Sequence, residues 1–208
     1  MKKVIGFVGL TIVAITSYYV WYVHFNYRFK KITQDKVYKS ALINPDDLGE
    51  YLEKYNIKTV IDLLNPYIHD KLNPGKMSSI IAEDVAIKKY NEMHHTRVVH
   101  VNIPSGQVPT QETLSKFFQI LDENTSYPIL IHCYHGTGRA QIYSALYRIE
   151  YEKWDNADAR ARTRFMVEGF GYKSSFADGR VKGDFLMHYT PRSSGENATI
   201  NLIQHQNI

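Results

Sequence analysis

The chain has 208 residues, 44% of them hydrophobic, and 25 Lys and Arg against 21 Asp and Glu give it a net charge of +4. That length suits one globular domain with its own core plus something short. The mild basicity shows no dense Lys/Arg stripe, so no nucleic-acid partner is expected, and a single cysteine excludes an internal disulfide framework or a multi-cysteine zinc cage.

From Val4 to Val23 no side chain carries a charge, a length that crosses a bilayer as a helix. Tyr18, Tyr19, Trp21 and Tyr22 gather at one end as an interfacial belt, and Arg28, Lys30 and Lys31 follow. Lys2 and Lys3 would also suit a cleavable signal peptide, but bulky aromatics fill the place where small residues should mark the cut. The expectation is a single-pass anchor over residues 1–27 that meets the membrane through 4–23. The short N-terminal tail resembles a bacterial signal-anchor, which leaves the rest of the chain on the extracytoplasmic side. Residues 28–36 read as a basic linker, 37–190 as the catalytic domain, and 191–208 as a polar tail.

Within the domain, "KVYKSAL" (36–42) predicts a strand, and "NPDDLGEYLEKYNI" (44–57) a helix capped by Asn44 with Pro45 at its first position. "KTVIDLL" (58–64) is a compact, β-branched run suited to a buried parallel strand. A helix is expected around 77–92 and a strand at "RVVHVNI" (97–103). Leu114, Phe117, Phe118 and Leu121 make the apolar stripe of an amphipathic helix, and "YPILIHC" (127–133) is the next strand. Ile142, Ala145, Leu146 and Ile149 repeat the stripe, and a further helix follows a cap at Asp155 or Asn156. The alternation predicts an α/β fold with a central, mainly parallel sheet flanked by helices.

"HCYHGTGR" (132–139) is the turn from the last buried strand into a helix, at the sheet edge where ligands bind in α/β folds. Gly136 and Gly138 let the backbone curl so that N–H groups converge on an anion above a helix N-terminus. A thiol at the base of such a nest is expected to have a lowered pKa. Arg139 offers a planar fork for two phosphate oxygens. A plain buried thiol would not need both glycines and the arginine in register. Metal ligation is not expected, because His132 and Cys133 are adjacent on a strand and point apart.

The loop resembles the signature of the cysteine-dependent protein tyrosine and dual-specificity phosphatases: histidine, cysteine, five residues, arginine. Segments such as "VVHVNIPS", "FFQILDENTSYPILIHC" and "ALYRIEYEKWDNADA" look like the successive elements of the compact dual-specificity group, in its atypical plant, fungal and bacterial form, over roughly residues 35–190. The resemblance implies phosphomonoester hydrolysis through a phosphocysteine at Cys133, with Arg139 and the loop amides holding the equatorial oxygens. It implies substrate contacts from His132, Tyr134, His135, Gly136, Thr137, Gly138 and Arg139, with His132 orienting the loop. No metal or organic cofactor is implied, and the substrate would be a phosphorylated protein or a small phosphomonoester. The alternatives are a phosphate-binding pseudophosphatase and an inositol-phosphate phosphatase. A rhodanese-like sulfurtransferase fits the paired glycines and the arginine less well.

Two positions depart from the family. Ala140 stands where a Ser or Thr hydroxyl usually helps the thiolate leave, so slow breakdown of the phosphoenzyme is expected. "NIPSGQVPT" (102–110) has Gly106 and Gln107 where the family's general-acid aspartate would fall. Glu112 sits in a helix first turn, where the macrodipole alone favours an acid. Asp70, Glu83 and Asp84 remain as candidate acids.

Overall fold

The structure, a computed structural model, describes residues 2–71, 73–164 and 168–192. It opens with helix α1 (Lys2–Val20), which runs on through a π-helical segment, Trp21–Phe25. Phe7–Phe25 is long and apolar enough to cross a membrane, and none of it is buried against the rest of the chain.

Five strands follow: β1 (Lys30–Thr33), β2 (Val37–Ala41), β3 (Thr59–Asp62), β4 (Val99–Asn102) and β5 (Ile129–Cys133). They form one sheet in the order β1-β2-β5-β3-β4. β2, β5, β3 and β4 are parallel, and β1 is an antiparallel edge. The helices are α2 (Pro45–Lys54), α3 (Met77–His94), α4 (Gln111–Asp122), α5 (Arg139–Tyr151), α6 (Asn156–Thr163) and α7 (Val181–Met187). The expected mixed α/β architecture is therefore present, with strands feeding helices in alternation.

Side chains alternate across β5, so the strand serves two cores. Ile129, Ile131 and Cys133 face the cluster built from Phe117, Leu121, Ile142 and Leu146 of α4 and α5. Leu130 faces the other, with Leu48, Leu52 and Ile87 of α2 and α3. Each fully buried Leu, Ile or Phe here contributes about 1.5–3 kcal/mol. The helix starts follow their caps. Asn44 accepts from the Asp46 N–H with Pro45 in the first turn, Thr110 and Thr113 cap α4 reciprocally, and Asp155 accepts from the Asp158 N–H.

The stretch expected as a basic linker is partly built into the fold. Residues 30–33 pair with β2, and Phe29, only 7% exposed, stacks on Tyr55 and Tyr38 at centroid distances of 4.4 and 5.4 Å. Lys30 and Lys31 suggested a solvated linker, yet lysines are also what protects an exposed sheet edge from pairing with another chain. Helix α7 carries no long apolar period and was not anticipated. Of the expected tail, residues 193–208 lie outside the described residues.

Replacing Phe29 by Ala should cost about 3 kcal/mol, as loss of a packed core phenylalanine does, read from urea unfolding of the full chain. A solvated linker residue would change stability by less than about 0.5 kcal/mol.

Candidate active site

Strand β5 delivers Cys133 to the carboxyl edge of the sheet, and α5 begins at Arg139. Between them the chain curls, with Gly136 at φ +67°, in the left-handed region. A Cβ on Gly136 would lie 2.6 Å from Ala41 N and from Ser40 C and O. The position is thus closed to side chains by space as well as by conformation.

Three successive carbonyls of this loop are held from outside. Tyr134 O accepts from the Leu42 N–H at 3.3 Å, His135 O from Arg28 Nη1 at 3.0 Å, and Gly136 O from Lys39 Nζ at 2.9 Å. In a trans peptide the N–H points opposite to the C=O. Anchoring those carbonyls outward therefore turns the N–H groups of His135, Gly136 and Thr137 the other way. The Gly136 N–H shows the result directly, donating to Cys133 Sγ at 3.3 Å. A nest of this kind suits an oxyanion bound above the sulfur.

Lys39 is 4% exposed, in the middle of β2. Burial pulls its ammonium down to about pH 8, and the charge of Cys133 opposes that fall. Lys182 of α7 also reaches the loop, its Nζ 3.4 Å from where a Cβ on Gly138 would stand. Its pKa is lowered by burial and by Arg139 and Arg164, while Cys133 and Asp70 act in the other direction. Neither lysine was singled out from the sequence.

Arg139 is 7% exposed and fixed by backbone carbonyls from separate loops. Nη1 donates to Leu63 O at 2.7 Å and Ser105 O at 3.3 Å, and Nη2 to Asn73 O at 3.2 Å. Among the described residues, these bonds use both protons of Nη1 and one of Nη2, leaving Nε–H and the second Nη2–H for an oxyanion. Arg139 and Gly138 line a cleft of about 370 Å³ with Asp70, Gln107, Lys71 and Lys182, among other residues. Ser105, Gly106 and Gln107 occupy its rim, so the segment lacking the expected aspartate stands where the sequence put it. Ala140 is fully buried.

The other predicted site residues part company. Tyr134 is 38% exposed and its ring meets His135 edge-on at 4.7 Å. Thr137 is half-buried in the loop. His132 turns to the opposite face of β5, where Nε2 lies 2.9 Å from Glu83 Oε2 and 3.7 Å from Asp62 Oδ1. His100 Nε2 approaches the same Glu83 oxygen at 3.0 Å, and Asn102 and the Leu64 N–H bind the Asp62 carboxylate. Burial alone would lower the His132 pKa, but the charges of Glu83 and Asp62 overcome it and raise it to about 9. Burial likewise would raise Glu83, yet His132 and the nearby His100 bring it down to about 2. Asp62 is pushed up, by burial and then by Glu83, against the pull of His132. Asp62, Glu83 and His132 place ligand-type atoms within 4.8 Å of one another, a spacing that would suit a cation. His132 and Glu83 already pair with each other there, at 2.9 Å. Glu83 is thereby removed from the list of candidate acids: it is ionised, and it faces the back of the loop. Asp84 faces His100 and Lys88.

A parallel sheet whose carboxyl edge carries this cysteine-to-arginine loop defines the dual-specificity phosphatase class of fold. Over residues 34–177 the chain matches the model of a family described as a DSP-PTPase phosphatase fused to NAD+ kinase, and it belongs to that family. It is 27% identical over 142 residues to the dual specificity protein phosphatase TpbA of Pseudomonas aeruginosa, covering 68% of this chain and 55% of the relative. It is 31% identical over 136 residues to the protein tyrosine phosphatase PRL-1 of Trypanosoma cruzi, covering 55% of this chain and 73% of the relative. The chain thus spans about half the length of TpbA. The core catalytic domain of the PP-IP phosphatase SIW14 from S. cerevisiae shares the fold, with a TM-score of 0.53 at 17% identity over 78% of this chain and 85% of that one.

The buried pair has a pH signature. Folded His132 keeps its proton up to about pH 9, whereas in the unfolded chain it releases it near 6.5. The contribution is complete below pH 6.5 and lost as pH rises through about 9. Glu83→Gln should cost about 3–5 kcal/mol near pH 6.5, because it leaves a buried group unpaired. The gap between wild type and variant should narrow by pH 9, measured by urea unfolding at both values.

Proposed function

We propose that the protein is a phosphomonoester hydrolase of the protein tyrosine/dual-specificity type, acting through a phosphocysteine on Cys133. The observation that carries this reading is the set of three outward-held carbonyls, which turns the loop amides to the other side, with the Gly136 N–H reaching Cys133 Sγ. The Cys133 thiolate attacks phosphorus in line, an S–P bond forms, and the bond to the leaving oxygen breaks. The N–H groups of His135, Gly136 and Thr137 and the unoccupied edge of Arg139 hold the equatorial oxygens as charge develops. Water then cleaves the S–P bond and releases phosphate. His132 acts at one remove, through the strand, and Tyr134 and His135, which are not among the residues lining the cleft, act through the loop backbone.

The leaving group needs a proton, and Asp70 is the carboxylate that lines the cleft among the described residues. Its Oδ1 and Oδ2 accept from the backbone and side chain of Asn73 at 3.1 and 3.0 Å. Asn73 in turn gives its carbonyl to Arg139, so one residue places both acid and arginine. An arriving phosphate dianion raises the proton affinity of the carboxylate next to it. A second reading, hydrolysis of a polyphosphorylated small molecule such as an inositol phosphate, is favoured by Lys71, His69 and Lys182 on the same wall. The two lysines add more positive charge than one phosphate needs. Phe7–Phe25 supports a membrane-anchored protein, joined to a domain that already includes Phe29 and the edge strand β1.

Full-length protein incubated with an aryl phosphate should release phosphate, and Cys133→Ser should abolish it. An initial burst followed by a slower steady rate is expected, because Ala140 supplies no hydroxyl for the second step. Binding without any burst would contradict hydrolysis and leave a phosphate-binding module.

Asp70→Asn should lower kcat/KM for an alkyl phosphate by about 100-fold, the usual worth of leaving-group protonation. For an aryl phosphate with an acidic leaving group the loss should stay under about tenfold. Equal losses on both substrates would remove Asp70 from that role.

A further inference from the structure

The geometry points to Arg28 as a positioning residue of the catalytic loop, so that the segment leading from the apolar helix helps to build the anion site. The inference rests on the phosphate-binding reading of that loop. It concerns a residue outside the stretch shared with the family, which begins at residue 34.

The peptide between His135 and Gly136 is the one whose N–H reaches Cys133 Sγ. It adjoins a glycine at φ +67°, and glycine tolerates either sign of φ. Local sterics therefore do little to stop this peptide from flipping. A flip would send the N–H away from the sulfur and bring the carbonyl oxygen toward it, where an anion would be repelled. What opposes the flip is the bond from Arg28 Nη1 to His135 O at 3.0 Å, with Lys39 holding the next carbonyl.

Arg28 is itself held firmly. Its N–H donates to Tyr22 O at 2.9 Å, and Tyr22 OH reaches back to Arg28 O at 3.4 Å. Tyr27 O accepts from the Ala41 N–H at 2.7 Å, and Tyr27 OH donates to Asp47. Tyr27 and Arg28 both have positive φ, 51° and 50°, a conformation that non-glycine residues seldom adopt. Two such residues in succession persist only where the surroundings over-determine them, and such strain clusters at functional sites. Here it reverses the chain between the end of the helix at Phe25 and the buried Phe29, and so presents the Arg28 guanidinium to the loop.

A residue that merely fastened the segment would affect stability alone, so the test reads anion binding. Full-length wild type, R28A, R28Q and R28K are purified in detergent. For each, the protection of Cys133 from iodoacetamide by inorganic phosphate is titrated, beside kcat/KM for an aryl phosphate and urea unfolding. R28A and R28Q should weaken phosphate protection by about tenfold or more, the worth of one charge-assisted hydrogen bond, with a matching fall in kcat/KM. R28K, which keeps a cationic donor, should recover most of both. R28Q keeps much of the side-chain stem and decides the matter if R28A does not fold. Phosphate protection within about twofold of wild type in R28Q, whatever happens to the unfolding midpoint, overturns the proposal. If wild type releases no phosphate but phosphate shields Cys133 in an Arg28-dependent way, the positioning role stands and hydrolysis falls. If phosphate does not shield Cys133 in wild type, the anion site itself fails, and this role with it.

Discussion

A loop that binds an anion with its amides must keep its carbonyls turned away, and here that task falls to neighbours rather than to the loop. Tyr134, His135 and Gly136 each give their oxygen to a donor from residues 28–42: the Leu42 N–H, Arg28 and Lys39. The requirement behind this is that β2 lies beside β5, in a register running from Val37 opposite Ile129 to Ala41 opposite Cys133. The same closeness forbids a side chain on residue 136. Sheet order, the identity of Gly136 and the direction of the amides are thus one constraint seen three times.

Behind the loop, the alternation along β5 separates two kinds of work. Cys133 faces the core under α5, while His132 faces α3 and its Glu83. The buried His132–Glu83 pair fixes the strand end from the other side of the sheet, and it involves no atom of the cleft. Lys39 and Lys182 supply positive potential on the cysteine side, and burial weakens the hold of both on their protons. Basic side chains therefore gather on the cysteine side of the strand, and the acidic ones, Glu83 and Asp62, face His132 on the other.

Much of this was legible in the sequence, for local reasons. Cysteine, two glycines and arginine in register on a strand–turn–helix mark the loop without any tertiary information. Apolar periods and caps marked α2, α4 and α5 close to their observed bounds. What was missed depends on distance along the chain. Arg28 meets His135 across 107 positions and Glu83 meets His132 across 49, and no pattern in either segment announces the other. Lys39 was the nearest thing to a visible clue, since a lysine in the middle of a short buried strand requires a buried partner. β1 was hidden by its own lysines, which read as linker. Asp70 stood among three candidate acids, and only folding, which brings it to the cleft of Arg139 while turning Glu83 and Asp84 away, separates it from the other two.

The central claim is that Cys133 carries phosphate covalently, and the direct measurement is the intact mass of the full-length protein quenched within its first turnover on an aryl phosphate. The account predicts one phosphoryl adduct, localised to Cys133, formed in the burst and accumulating because Ala140 slows its hydrolysis. Phosphate release with no adduct at Cys133, or an adduct that persists in Cys133→Ala, would contradict it.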